Sequence, residues 1–266
     1  MALRNYQFIP SDAHSDLAIG AGFRFGAKGT HTSRTIMLAE LTTLLQTTSC
    51  FSDRAEYASA VIEGNCLAKR TISTRRLTNQ RLGELYGLDP SIPLFRVLRK
   101  LWERDAPGRP LLAIQCAIAR DPLLAATAPA ILALALGTEF LREPMRAALR
   151  EVAGDRFNER VLEKVLRNAA SSWTQSGHLE GRALKKRRQV RPTAANAAFS
   201  LFLAHCAGFR GQELFSCGWM QLLDCSPSAA RELSLNAKRL GLIDLRMAAD
   251  VIELNLDRLN SGMQEF

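Results

Sequence analysis

The sequence predicts a mainly α-helical protein: a helical bundle with helix-turn-helix and winged-helix-like units and small β-hairpin wings. Three stretches predict it. Residues 53–88 read as two helices parted by a short polar break. Residues 155–193 read as a helix, a glycine bend and a basic hairpin. Residues 211–256 read as a short helix, a capped helix and an alternating run, which is the order of a winged helix.

Taken in order, residues 1–32 show no clear period, and the Gly-rich GAGFRFGAKGTHTS lacks the GKS or GKT of a phosphate-binding loop. A flexible, mostly irregular arm is expected, ordered at most by Phe23 and Phe25. A helix follows over about 34–48, capped by Thr32 or Ser33, with Ile36, Leu38, Leu41, Leu44 and Leu45 on its apolar face. The next helix, about Asp53 to Glu63, places Ala55, Ala58, Val61 and Ile62 on one stripe, and Gly64-Asn65 end it. Ser73 then offers an N-cap for a helix over about 74–86 that buries Leu77, Leu82 and Leu85, with Leu88 beyond it. These helices make residues 33–92 a three-helix unit of helix-turn-helix type.

The last of them shows Arg75, Arg76, Asn79, Gln80 and Arg81 on its other side, with Lys69 and Arg70 just before it. Arginine reaches guanine edges and phosphates, and Asn and Gln pair with adenine edges. The same side chains also fit a plainly solvated face. The charge distribution tips the balance. The formal net charge is +9. Ten basic residues stand against four acidic ones from Asn65 to Pro110, and six against one from His178 to Arg191. Two basic patches on a near-neutral body point to a polyanionic partner.

Residues 93–154 read as a helical core. Pro93 starts a helix through 94–105 with Leu94, Val97, Leu98 and Leu101 inward and Arg96, Arg99 and Lys100 on other sides. The apolar run from Pro122 to Gly137 is shorter than the roughly 20 residues of a membrane span and carries Pro129. It reads as one or two buried helices, with another over about 143–153. Residues 155–210 form the second unit: Val161, Leu162, Val165, Leu166, Ala169 and Trp173 share a helical stripe, Gly177 bends the chain, and Arg182, Lys185, Lys186, Arg187 and Arg188 crowd a hairpin. That is the pattern of a winged helix with a basic wing tip. In the third unit, 211–266, Ser226-Pro227 starts a helix with Ala230, Leu233, Ala237 and Leu240 inward, and Gly241 stops it. The hairpin beyond carries Asp244, Asp250, Glu253 and Asp257, which repel phosphate, so this unit is expected to pack or to meet protein.

Six cysteines, Cys50, Cys66, Cys116, Cys206, Cys217 and Cys225, form no CxxC pair and have no histidine at ligand spacing. Reduced, buried thiols and the absence of a secretory signal predict a cytoplasmic protein. His14, His31, His178 and His205 stand apart from any sequence-local nucleophile or carboxylate, and no GxSxG or HExxH is present. No enzyme, metal or cofactor is expected, and His178 is the one histidine worth checking.

Two further segments carry a family resemblance. EGNCLAKRT, with Glu63, Asn65, Leu67 and Arg70, leads into STRRLTNQRLGELYGL, and NAASSWTQSGHLEG holds Trp173, Gly177 and Leu179. The run from Lys28 to Leu88, with the later segment, resembles the BrxA family, accessory proteins of BREX bacteriophage-exclusion systems. The likeness spans roughly half the chain. It implies a DNA-binding protein without catalysis of its own, working beside a methyltransferase and ATPases, with other BREX proteins as partners. Members have also been labelled inner-membrane proteins, against which the short, proline-broken run at Pro122 argues.

The functional expectation is duplex DNA binding. Arg75, Arg76, Asn79 and Arg81 would face a groove, and Lys69, Arg70, Arg182, Lys185, Lys186, Arg187 and Arg188 would hold phosphates. An RNA-binding protein and a protein-interaction scaffold within a defence complex are the rival readings. The sequence sets no oligomeric state.

Overall fold

Two helices with almost no polar face form the axis of the fold: Arg109–Arg120 and Ala194–Ala207, both buried along nearly their whole length. A computed structural model describes residues 8–10, 15–26, 29–248 and 251–261. The chain is mainly helical, with two small antiparallel hairpins among the described residues. In order, the helices are α1 (Ser15–Ala21), α2 (Leu38–Thr47), α3 (Arg54–Ile62), α4 (Ile72–Tyr86), α5 (Pro93–Arg104), α6 (Arg109–Arg120), α7 (Pro122–Ala126), α8 (Ala128–Leu132), α9 (Arg142–Ala153) and α10 (Glu159–Gln175). The first hairpin, β1 (Leu179–Glu180) and β2 (Lys186–Arg187), comes next. Then follow α11 (Ala194–Ala207), α12 (Glu213–Ser216), α13 (Gly218–Gln221), α14 (Pro227–Arg239), the hairpin β3 (Asp244–Ala248) and β4 (Val251–Asn255), and α15 (Asp257–Asn260).

Local chemistry explains the sharpest boundaries. Asp53 and Glu56 form a reciprocal capping box at the start of α3, each carboxylate accepting the other's backbone N–H at 2.8 Å. Thr193 and Asn196 cap α11 in the same way. Ser226 caps α14 ahead of Pro227, as the sequence predicts. Gly87, Gly177 and Gly241 all take positive φ just past a helix, where a Cβ is disfavoured.

Other expectations are corrected. The arm is not irregular where it is described: α1 forms, Phe23 is buried while Phe25 stays half exposed, and Thr30–Thr32 make a 3-10 turn. His14, Lys28 and Asp250 lie outside the described residues. The helix expected from residue 34 begins at Leu38, because Met37 adopts left-handed backbone. The first N–H is met by Gln175 Oε1 of α10, at 3.0 Å, and not by Thr32 or Ser33. The cap of α4 is Thr71, not Ser73, and Leu77 is exposed while Thr78 and Tyr86 are buried. Leu240 is exposed as well, and Ser234 takes an inward place on α14.

Around the axis, α11 packs against α14 and α13 on one side and α6, α5 and α1 on another. With α12, α13, α14 and β3–β4 it has the element order of a winged helix, so α11, which lies within 155–210, packs with the elements of 211–266 across the expected boundary. The buried apolar residues form one continuous cluster from Ala18 to Leu259. No single helix among the described residues is long and apolar enough to cross a membrane. The nearest approach, Arg109–Arg120 with Pro122–Leu132, is bent by 105° at its break.

Candidate nucleic-acid interface

The polar break between α3 and α4 is held by the residues expected to bind DNA. Asn65 adopts left-handed backbone and its Oδ1 accepts the Lys69 N–H at 2.8 Å, closing the loop on itself. Arg75 falls on the inner side of α4. Its Nε donates to Lys69 O at 3.3 Å and its Nη1 to Ile62 O at 3.1 Å, so it ties the last carbonyl of α3 to the loop ahead of α4. Lys69 Nζ meets Glu40 Oε1 at 3.1 Å. Arg81 Nη1 meets Glu84 Oε2 at 2.7 Å. Burial alone would raise the Glu84 carboxyl, yet hydrogen bonds from Arg81, Thr30 and Gln80 outweigh it and hold the group below its ordinary range. Arg75, Lys69 and Arg81 are therefore committed to the fold. Arg70 and Arg76 are exposed with no ion pair among the described residues, and Asn79 is half-buried.

The second patch divides in the same way. Arg187 was expected at an exposed wing tip; it is buried, and it meets Asp224 at 2.6 Å. Its neighbour His178 is fully buried as well, with Nδ1 2.8 Å from Ser176 Oγ and Nε2 3.2 Å from Leu222 O. Burial, with the Arg187 charge close by, pushes the imidazole down to about 3, so the ring is neutral and structural. Lys185 Nζ donates to Thr174 Oγ1 at 2.8 Å and to Gly181 O at 3.2 Å, and partial burial lowers its basicity. Arg188 lies 3.7 Å from Glu180, both exposed. Arg182 and Lys186 are exposed. The hairpin does not project as a free wing, because residues 137–140 pair with the other edge of β2 through the bridge Glu139↔Lys186.

The two patches are linked through α10 and α2. Lys185 touches Thr174 at the end of α10, the next residue Gln175 binds the first N–H of α2, and Glu40 in the first turn of α2 binds Lys69. Three direct contacts thus lead from the hairpin to the α3–α4 loop across two helix ends. Arg70 and Arg76 lie at one end of that run of contacts in sequence, and Arg182, Lys186 and Arg188 lie in the hairpin at the other, all of them exposed.

A second constellation escaped the sequence reading. His31 Nδ1 lies 2.8 Å from Asp121 Oδ2, and its Nε2 lies 2.8 Å from Ser172 Oγ. The order Ser–His–Asp resembles a catalytic triad, but all three side chains are buried. The Ser172 hydroxyl donates to Asn168 O and accepts the Ile36 N–H at 3.0 Å, so it is spent on backbone. Asp121 also caps α7 through the Leu123 and Leu124 N–H groups. Burial favours its protonated form; the His31 ring and these N–H donors outweigh burial and keep the carboxyl below its ordinary range. Gly29 leaves room for it, since a Cβ there would sit 2.2 Å from Asp121 Oδ1. The trio pins the N-terminal segment to α10 and the α6–α7 corner.

The six cysteines are free thiols, with Cys116, Cys206 and Cys217 buried. Burial raises Cys206 to about 12 and Cys217 to about 11, well away from the thiolate form. No group of three potential metal ligands occurs among the described residues. The acidic side chains of the second hairpin are partly neutralised: Asp244 lies 3.4 Å from Arg258 and Glu253 3.8 Å from Arg246. No protein-family model matches the chain, and no curated protein matches it.

Proposed function

We propose that the chain is a non-catalytic DNA-binding protein that holds duplex DNA along the seam between the α3–α4 loop and the β1–β2 hairpin. The observation that supports this reading is the run of contacts Lys185–Thr174, Gln175–Leu38 and Glu40–Lys69, which links two basic segments far apart in sequence through α10 and α2. The contacting set is smaller than the sequence suggested. Arg70, Arg76, Arg182, Lys186 and Arg188 keep exposed cationic groups, and Asn79 on α4 is half-buried. Arg75, Arg81, Lys69, Lys185 and Arg187 shape the surface from within. Such a set neutralises phosphates without reading many base edges, which favours affinity with low sequence preference.

The resemblance to the BrxA family extends the proposal to an accessory role in phage exclusion, with other BREX proteins as partners. Competition of an unlabelled duplex against a structured RNA for the same labelled duplex tests the nucleic-acid class. Preference for the RNA would replace this reading with the RNA-binding one. Retention of neither, with salt-insensitive capture of a partner protein, would replace it with the scaffold.

A further inference from the structure

Helix α10 buries one face and leaves the opposite one to carry charge. Arg160, Lys164, Arg167, Ser171 and Thr174 recur at intervals of four, three, four and three residues, which puts them on a single helix face. Burial agrees. Arg160, Lys164 and Arg167 are exposed and Ser171 and Thr174 half-buried, while Leu162, Val165, Leu166, Ala169 and Trp173 are buried on the other side. α10 packs chiefly on α9, the 3-10 turn, β1 and α6, and these leave the three cations open to solvent.

The carboxylates of α10 are taken up by α9. Arg146 meets Glu159 at 3.0 Å and also binds Glu163, Arg142 lies 3.7 Å from Glu163, and Arg150 binds Glu159. Glu163 is thereby drawn away from Arg167, which stands one turn on at the spacing that favours an ion pair. Arg160, Lys164 and Arg167 make no ion pair or side-chain hydrogen bond among the described residues. Like charges at one-turn spacing disfavour the helix that holds them, so this face is kept against its own repulsion. At its C-terminal end the stripe meets the hairpin, where Lys185 Nζ donates to Thr174 Oγ1 at 2.8 Å.

Charge, length and composition select the partner. The stripe holds no apolar side chain, so it lacks both the apolar centre of a protein interface and the apolar face of a membrane-surface helix. From Arg160 to Thr174 the helix rises roughly 21 Å at about 1.5 Å per residue, a span that covers about six phosphates of one duplex strand at about 3.4 Å each. Cations spaced along a helix in this way suit a linear polyanion. We infer that the outer face of α10 lies along one strand of duplex DNA, with Arg160, Lys164 and Arg167 on its backbone phosphates. Contacts of this kind position a duplex without reading its sequence. This inference rests on the DNA-binding reading and adds to its surface three cations outside both basic patches.

The test uses the full chain and an end-labelled duplex, with anisotropy titrations at several salt concentrations. A variant combining Arg160→Gln, Lys164→Gln and Arg167→Gln is expected to lower the slope of log K against log salt by nearly three, about 0.9 for each phosphate contact. Arg160→Lys with Arg167→Lys keeps the charges and is expected to keep the slope. The glutamine variant loses only exposed, mutually repelling groups, so its melting temperature is expected to match or exceed the wild type. Wild-type binding with a slope that the glutamine variant leaves unchanged overturns the α10 track alone and leaves the DNA reading intact. A slope that falls only together with the melting temperature marks the side chains as structural and also overturns the track. No anisotropy change with the wild-type protein removes the DNA reading and the track with it. Retention of the wild type on phosphatidylcholine–phosphatidylglycerol vesicles that the glutamine variant loses, with DNA binding unaltered, would give the stripe a lipid partner and overturn the track as well.

Discussion

Arg187 and Asp224 form an ion pair 2.6 Å apart, with the arginine side chain 1% exposed and the aspartate 16%. The same guanidinium donates to Ile131 O at 3.0 Å and to His178 O at 3.3 Å, and it also binds Arg188 O. Asp224 in turn accepts the Val190 N–H at 3.2 Å. One buried cation therefore ties α8, the hairpin and the turn before α14 together. Removing it would leave a largely buried carboxylate and several carbonyls unpaired. Arg187→Ala should destabilise the fold by about 3–5 kcal/mol in urea denaturation, the range for breaking a buried pair on one side. A wild-type unfolding midpoint would show that the guanidinium is not structural.

His178 makes the region sensitive to acid. Its folded-state value of about 3 lies below the ordinary 6.5 of histidine. Above the ordinary value both folded and unfolded chains hold the ring neutral, so the group is silent. Below it the unfolded chain takes up a proton that the folded chain refuses. Stability is thus lost as pH falls from about 6.5 toward about 3, at roughly 1.4 kcal/mol per pH unit. Between about pH 7 and pH 5 this one residue should remove about 2 kcal/mol. His178→Gln should flatten that part of the profile by the same amount, read as urea midpoints at both pH values.

The helices themselves were legible because their signals are local. Asp53 with Glu56 and Ser226 with Pro227 lie within one turn of the backbone they cap. The roles of the arginines were not legible, because their partners are distant in sequence. Arg187 finds Asp224 37 residues away, and the carbonyl that Arg75 reaches lies 13 residues back, across a loop whose path composition does not show. A basic cluster looks the same in sequence whether its cations face water or neutralise buried acceptors. Leu77 failed for a related reason. The inward face of α4 is set by α3 and α6, against which it packs, and it holds Thr78, Leu82, Leu85 and Tyr86. His31, Asp121 and Ser172 are 90 and 141 residues apart, so no spacing rule could join them.

That buried trio gives a third prediction. Ser172→Ala would leave the Ile36 N–H and the His31 ring without their shared partner. The change should lower stability by about 1–3 kcal/mol, the desolvation cost of an unmet buried group. A fluorophosphonate reagent should leave Ser172 unmodified in the folded protein, because the hydroxyl is buried and donates to Asn168 O. Stoichiometric labelling at Ser172 would restore a hydrolase reading and displace the structural one.

The last prediction separates the cations that face solvent from those that do not. A contact that neutralises one phosphate releases about one counterion, so its loss lowers the slope of log K against log salt by about one. Arg70→Ala and Arg76→Ala should each lower the slope in this way, and so should Arg182→Ala. Lys69→Ala removes a cation already held by Glu40 at 3.1 Å, and should change the slope by much less than one. Arg81, paired with Glu84 at 2.7 Å, belongs with Lys69. Titrations of each variant at several salt concentrations make the comparison. If Lys69→Ala lowers the slope as much as Arg76→Ala, the internal pairs open on binding and the division drawn from burial fails. If neither Arg70, Arg76 nor Arg182 moves the slope, DNA does not lie along the seam.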